Sequence, residues 1–180
     1  MKKFALKYEF DIGKDKMWEA YRDHLVEIGN RISFVEKIEV LSREEKDNKT
    51  VVENVWDTSG KIPSGIKNFL PDSLFKYSDN ALWDNKNYFL EFENSPVGGS
   101  RIYEIKGEVK FDGDERRTVI TQDIEIELNV LDNLPALKKV PSFMQKKIID
   151  QMTKFFEGEA KKNLKIIIDE VYRFASRFSN

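Results

Sequence analysis

The chain has 180 residues, 30 of them basic and 32 acidic, for a formal net charge of -2, and it contains no cysteine. That length suits one domain with a sizeable core, spanning residues 1–180. The near-neutral balance gives no electrostatic footprint for nucleic acid, and the missing thiols exclude disulfides, thiolate metal sites and a cysteine nucleophile.

At the N-terminus Phe4, Leu6, Tyr8, Phe10 and Ile12 alternate with polar or small residues, which predicts a strand with one face buried. The same alternation is unlike the unbroken apolar core of a signal peptide. No apolar run reaches the ~20 residues that span a bilayer, so a soluble, cytoplasmic protein is expected. Gly13 ends the strand. Residues 14–32 then place Met17, Trp18, Tyr21, Leu25, Val26 and Ile28 on one side of one or two short helices, closed by Gly29-Asn30.

From Ser33 the period returns to two, with Phe34, Ile38 and Val40 in one register and Val35 and Leu41 in the other. The polar stretch 44–49 predicts a turn into a third strand over residues 50–58. Residues 59–73 hold Gly60, Pro63, Gly65 and Pro71 around Ile62, Ile66, Phe69 and Leu70, too apolar for a solvated loop and better suited to a short helix or lid over the core. Strand patterns resume over residues 74–83, 88–92, 102–111 and 116–128, separated by Asp84-Asn85-Lys86-Asn87, by Pro96-Val97-Gly98-Gly99 and by Asp112-Gly113-Asp114. Short connections imply an antiparallel sheet with one face to be covered.

The cover is residues 143–178. Apolar residues recur there in steps of three and four from Met144 through Phe155, Phe156, Leu164 and Ile168 to Phe178, opposite a charged face. Ser142 with Gln145 has the form of a capping box after Pro141, and Gly158 suggests a bend or the close approach of a backbone or ligand. At about 1.5 Å per residue such a helix would reach roughly 50 Å, so it must lie across something broad.

This order, an α+β chain with a strand, short helices, six further strands and a long terminal helix, resembles the helix-grip fold of the START and birch-pollen-allergen (SRPBCC) superfamily. The resemblance implies a curved seven-stranded antiparallel sheet wrapped around the C-terminal helix. Val55-Trp56, Ile62-Pro63, Phe69-Leu70, Tyr77-Ser78, Asp84 and the run from Thr118 to Asp123 are also similar to PRELI-type phospholipid-transfer domains. That similarity implies a lid at residues 59–73 over a lipid cavity.

Candidate chemistry is sparse. His24 is the one histidine, placed on the first helix, and reads as a surface or packing residue. No nucleophile elbow, phosphate cradle or calcium loop occurs, and no metal or cofactor is expected. The aromatic content is more informative. Tyr8, Phe10, Phe34, Trp56, Phe92, Tyr103, Phe111, Phe155 and Phe156 are expected to converge between sheet and helix, with Phe69 from the lid, either as a filled aromatic core or as the lining of a ligand site. Glu36, Asn54 and Gln122 interrupt inward registers, and Glu36 and Gln122 are the expected ligand-orienting groups. Lys61, Ile66, Lys67, Phe69 and Leu70, and again Lys138, Lys139, Val140, Phe143, Met144, Lys146 and Lys147, combine basic and apolar residues suited to transient membrane contact. The expected function is binding or transfer of a lipid or other hydrophobic small molecule without catalysis. The rivals are a polyketide cyclase or dehydratase working through Glu36 and a cochaperone-like interaction module.

Overall fold

Seven strands pair antiparallel in one sheet, in the order β1-β7-β6-β5-β4-β3-β2. They are β1 (Lys2–Phe10), β2 (Lys37–Lys46), β3 (Lys49–Asp57), β4 (Lys76–Asp84), β5 (Phe89–Pro96), β6 (Tyr103–Gly113) and β7 (Thr118–Leu128). The computed structural model describes residues 1–58, 75–98, 101–133 and 135–177. The expected lid at residues 59–73, with Phe69 and the basic and apolar residues around it, lies outside the described residues.

Between β1 and β2 the chain forms α1 (Lys14–Asp23) and α2 (Leu25–Gly29), as the break at Gly13 and the apolar spacing predict. Before the last helix come one turn of helix, α3 (Val130–Asn133), and a 3-10 turn (Pro135–Lys139). The long helix α4 (Ser142–Arg177) closes the chain. This is the helix-grip arrangement.

Strand alternation fixes which face each residue takes. β7 buries Ile120, Gln122, Ile124 and Ile126, with Thr121, Asp123 and Glu125 on the outer face, and β3 buries Thr50, Val52, Asn54 and Trp56, with Val51, Glu53 and Val55 on that face. The second strand departs from expectation. It begins at Lys37 because residues 29–35 continue helical turns, with Ile32 N–H bonded to Gly29 O and Val35 N–H to Ile32 O. A bulge between Val40 and Ser42 then leaves Val40 and Leu41 both exposed, which explains the double register in the sequence.

The two halves of α4 differ. Ile167, Ile168, Val171, Phe174 and Ala175 are buried against α1, α2 and the sheet, each contributing about 1.5–3 kcal/mol by burial for the larger side chains. Lys161 Nζ lies 4.8 Å from the Phe4 ring centroid and Tyr172 stacks on Phe10 at 4.9 Å, so the helix tracks β1 in the same direction. At that end the interior is filled: Trp18 meets Trp83 at 5.1 Å and Phe111 at 5.2 Å, and Tyr21 meets Trp83 at 5.1 Å. The first half of α4 buries none of its residues fully, and Phe143 stays 73% exposed.

The helix start also differs from the expected capping box. Pro141 O accepts from Met144 N–H at 2.9 Å and Gln145 N–H at 3.0 Å, so Pro141 takes the capping position. Gln145 Nε2 donates to Val140 O at 2.7 Å instead of reaching back to Ser142. A Cβ on Gly158 would meet nothing within 4 Å, so no backbone approaches it closely.

Candidate functional site

The unfilled region lies where the middle of α4 crosses β4, β5 and β6. Thr58 and Phe75 are fastened to each other there, with Thr58 N–H and Oγ1 both donating to Phe75 O at 2.8 Å. Beside them is a cavity of about 150 Å³ lined by Phe34, Phe75, Tyr77, Phe92, Tyr103 and Ile105 and, from α4, by Phe155, Phe156, Glu159, Ala160, Asn163, Leu164 and Ile167. Thr58 and Asn94 complete the wall. Tyr103 packs on Phe156 at 5.1 Å, and Phe155 meets Phe156 edge-on at 5.7 Å.

A larger hollow of about 800 Å³ crosses the outer face of the sheet. It is an open trough with Lys3, Glu91, Lys106, Glu108, Asp123 and Glu125 along it, and solvated charges of both signs do not hold an apolar ligand. The inner cavity is the candidate site.

Five of the expected ligand residues border that cavity: Phe34, Phe92, Tyr103, Phe155 and Phe156. Trp56 stands behind it, buried and stacked on Tyr77 at 5.9 Å. Tyr8 and Phe10 are half-buried on β1, where Phe10 meets Tyr172 and the Tyr8 phenol is raised by burial and by Asp169, and neither borders the cavity. Gln122 is buried beyond the cavity, and neither amide atom has a hydrogen-bond partner among the described residues. Glu36 is exposed, because the ladder to β3 starts at its own backbone N–H and the inward alternation begins only at Ile38. Phe69 is outside the described residues. His24 packs on Phe174 at 4.9 Å, remote from the cavity.

The sequence reading named Asn54 as an inward polar residue but missed Asp79 and Asn94, which stand in line with it. Asn54, Asp79 and Asn94 face one another across β3, β4 and β5 on the inner side. Asp79 is buried, and its Oδ2 accepts from Asn54 Nδ2 and from Trp56 Nε1, each at 3.2 Å. With its amide nitrogen turned to the carboxylate, Asn94 donates to Asp79 Oδ1 at 2.7 Å and to Glu93 O at 3.2 Å. Burial pushes the Asp79 carboxyl up to about 6, against the downward pull of Asn54 and Trp56. Burial likewise raises the Tyr77 and Tyr103 phenols, and the Asp79 charge adds to the rise at Tyr77. Counting back in twos from Trp83 through Ala81 would have placed Asp79 inward.

Among the described residues no group of His, Cys, Asp or Glu is arranged to hold a metal ion, and no helix is long and apolar enough to cross a membrane.

No protein-family model matches the sequence, and no curated protein matches it. Solved structures do match in shape. The Zhui aromatase/cyclase from Streptomyces sp. R1128 superposes with a TM-score of 0.66 at 20% identity, over 99% of this chain and 96% of its own. Ara h 8.0201 gives 0.56 at 12% identity, over 99% of both chains. Norcoclaurine synthase from Thalictrum flavum, solved with dopamine and hydroxybenzaldehyde, gives 0.57 at 12% identity, over 99% of this chain and 88% of its own. Likeness at these identities carries the fold and leaves the activity to the site.

Proposed function

We propose that this helix-grip chain binds a hydrophobic small molecule between the sheet and the middle of its C-terminal helix. The observation that carries the reading is the cavity of about 150 Å³ walled by Phe34, Tyr77, Phe92, Tyr103, Phe155 and Phe156. A cavity of that size accepts a benzene-sized group, with Thr58, Asn94, Glu159 and Asn163 as polar partners beside it. Rings on both walls supply burial at about 25 cal/mol per Å². A ligand longer than one ring needs the half-exposed start of α4 to give way, and that half has few buried contacts to lose. Carriage of a lipid-like amphiphile fits the same reading: Phe143 and Met144 are exposed beside Lys139, Lys146 and Lys147, a combination that suits brief docking on an anionic surface.

One observation favours a second, enzymatic reading. Asp79 is a buried carboxylate behind Asn94 of the cavity wall, held up to about 6, the range in which a carboxyl exchanges protons near neutral pH. It takes the acid-base role that the exposed Glu36 does not fit.

Fluorine NMR with 4-fluorotoluene as probe, alongside native mass spectrometry of gently extracted protein, tests the binding reading. The expected results are a shifted or broadened resonance and a copurifying hydrophobic ligand, both lost in Ala160→Trp, which fills the cavity from the helix side. Unaffected probe resonance with protein that is consistently empty overturns it.

A further inference from the structure

The described side chains that line the cavity bring negative charge to it and no positive charge. Among the described residues that line it, the only ionisable group besides the tyrosines is Glu159, and no lysine or arginine takes part. Behind the wall Asp79 is buried with three neutral donors, Asn54, Trp56 and Asn94, and forms no ion pair among the described residues. A buried carboxylate without a cation is a costly arrangement. A fatty acid or phospholipid head group brought to this wall would add a second negative charge to it. A protonated amine would neutralise it.

We propose that the cavity selects a cationic amphiphile, a protonated amine carried on an aromatic or short alkyl body, over hydrophobic ligands with neutral or anionic heads. The inference rests on the reading of the cavity as a ligand site. Asn94 is the contact. Its amide nitrogen is spent on Asp79 Oδ1 and Glu93 O, which turns the carbonyl end away from Asp79 and makes that end an acceptor. Asp79 is a positioning residue: it fixes the amide and places negative charge behind it, in a medium of low dielectric where that charge reaches farther than in water. Glu159 supplies a second carboxylate from α4, with Lys162 at 3.8 Å on the helix surface as its partner. Tyr77, Tyr103 and Phe92 offer ring faces that attract an ammonium group and repel an anion.

The test uses the whole chain and three probes of one shape, 4-fluorobenzylamine, 4-fluorobenzyl alcohol and 4-fluorobenzoate, with 4-fluorotoluene as the headless reference, all by fluorine NMR at neutral pH. The amine is expected to bind at least about tenfold tighter than the alcohol, the worth of one charge-assisted hydrogen bond, and the benzoate weakest. Asp79→Asn is expected to remove most of that amine preference while alcohol and toluene binding hold within about twofold. Glu159→Gln, on a half-exposed wall, gives a smaller loss in the same direction and serves where Asp79→Asn fails to fold. Equal binding of the three heads, a preference for benzoate, or an amine preference untouched by both variants overturns the selection while leaving the cavity a ligand site. Failure of all four probes to bind overturns both readings.

Discussion

Asp79 and Asn94 stand opposite each other on β4 and β5, and the Asn94 amide nitrogen donates to Asp79 Oδ1 at 2.7 Å on the inner face of the sheet. The pair is part of a polar row that starts at Asn54 and lies between two rows of aromatic and aliphatic side chains. Its stability consequence depends on protonation. The folded-state carboxyl is raised from 3.8 to about 6, so the native state binds the proton more tightly than the unfolded chain does. The stabilising effect is therefore fully present below about pH 4 and is lost as pH rises through about 6.

Asp79→Asn is accordingly expected to stabilise the protein at pH 7.5 by about 2–3 kcal/mol, the equivalent of a shift of about two pH units. The Asn94 amide can turn its oxygen to the new amide, so the hydrogen bonds survive the exchange. Urea titrations of both proteins across pH 4 to 8 check this. The advantage should fade toward pH 4, and subtracting one curve from the other removes the opposite trend of exposed carboxylates such as Glu9 and Asp112, whose partners lower them. A variant less stable at pH 7.5, or an advantage that does not change with pH, contradicts the assignment.

Gln122 gives a second measurement. Its amide is fully buried, and neither polar atom has a partner among the described residues. Leaving such a group unsatisfied costs about 1–3 kcal/mol, so Gln122→Met, similar in shape and free of the amide, is expected to raise stability by that order in chemical denaturation. A loss of stability would mean that the amide is satisfied in solution, by an ordered water or by part of a bound ligand.

How far the sequence discloses this arrangement depends on how clean each period is. β1 and α4 alternate or step without conflict, and β7 is interrupted inward only at Gln122, so their inward faces, including Phe155 and Phe156, are legible directly. Phe34 and Glu36 share a period-two reading only if the chain is extended there. Local hydrogen bonds hold residues 29–35 in turns, which brings Phe34 to the cavity and leaves Glu36 in water. β4 hides its key residue for another reason. In KYSDNALWD the polar residues crowd both registers, so Asp79 looks like one more surface carboxylate until Trp83 and Ala81 fix the face. Which end of the sandwich is hollow follows from where Trp18 and Tyr21 are delivered by α1, a tertiary fact that no local pattern encodes.

Gly107 connects the fold to the cavity wall. It faces inward between Phe92 and Ile124, and a Cβ there would lie 2.3 Å from two Phe92 ring carbons and 2.8 Å from Ile124 Cδ1. The ring covers the space a side chain would occupy. Gly107→Ala should therefore cost about 1–3 kcal/mol through overpacking and push Phe92 into the cavity, weakening the binding of 4-fluorotoluene. Adding Phe92→Leu relieves the clash, so the double variant should be more stable than the sum of the single changes predicts, a coupling that denaturation of all four proteins measures. Additive losses would place the strain elsewhere.

The start of α4 separates folding from membrane contact. Phe143 is 73% and Met144 44% exposed, with Lys146 and Lys147 exposed beside them, so none of the four contributes a buried contact to the core. Phe143→Ser with Met144→Ser should leave stability within about 0.5 kcal/mol of the parent. Lys146→Gln with Lys147→Gln should do the same. On vesicles containing phosphatidylserine the expectations differ: two lysines near a negative surface are together worth about 2 kcal/mol, so their removal should weaken sedimentation with those vesicles roughly 30-fold, and the serine pair should weaken it by removing the inserted apolar groups. Neutral vesicles should bind poorly throughout, since the exposed apolar area at the helix start is small. If the parent protein sediments equally with neutral and anionic vesicles, or with neither, the helix start is an ordinary solvated terminus, and ligand exchange at the cavity has to proceed through water.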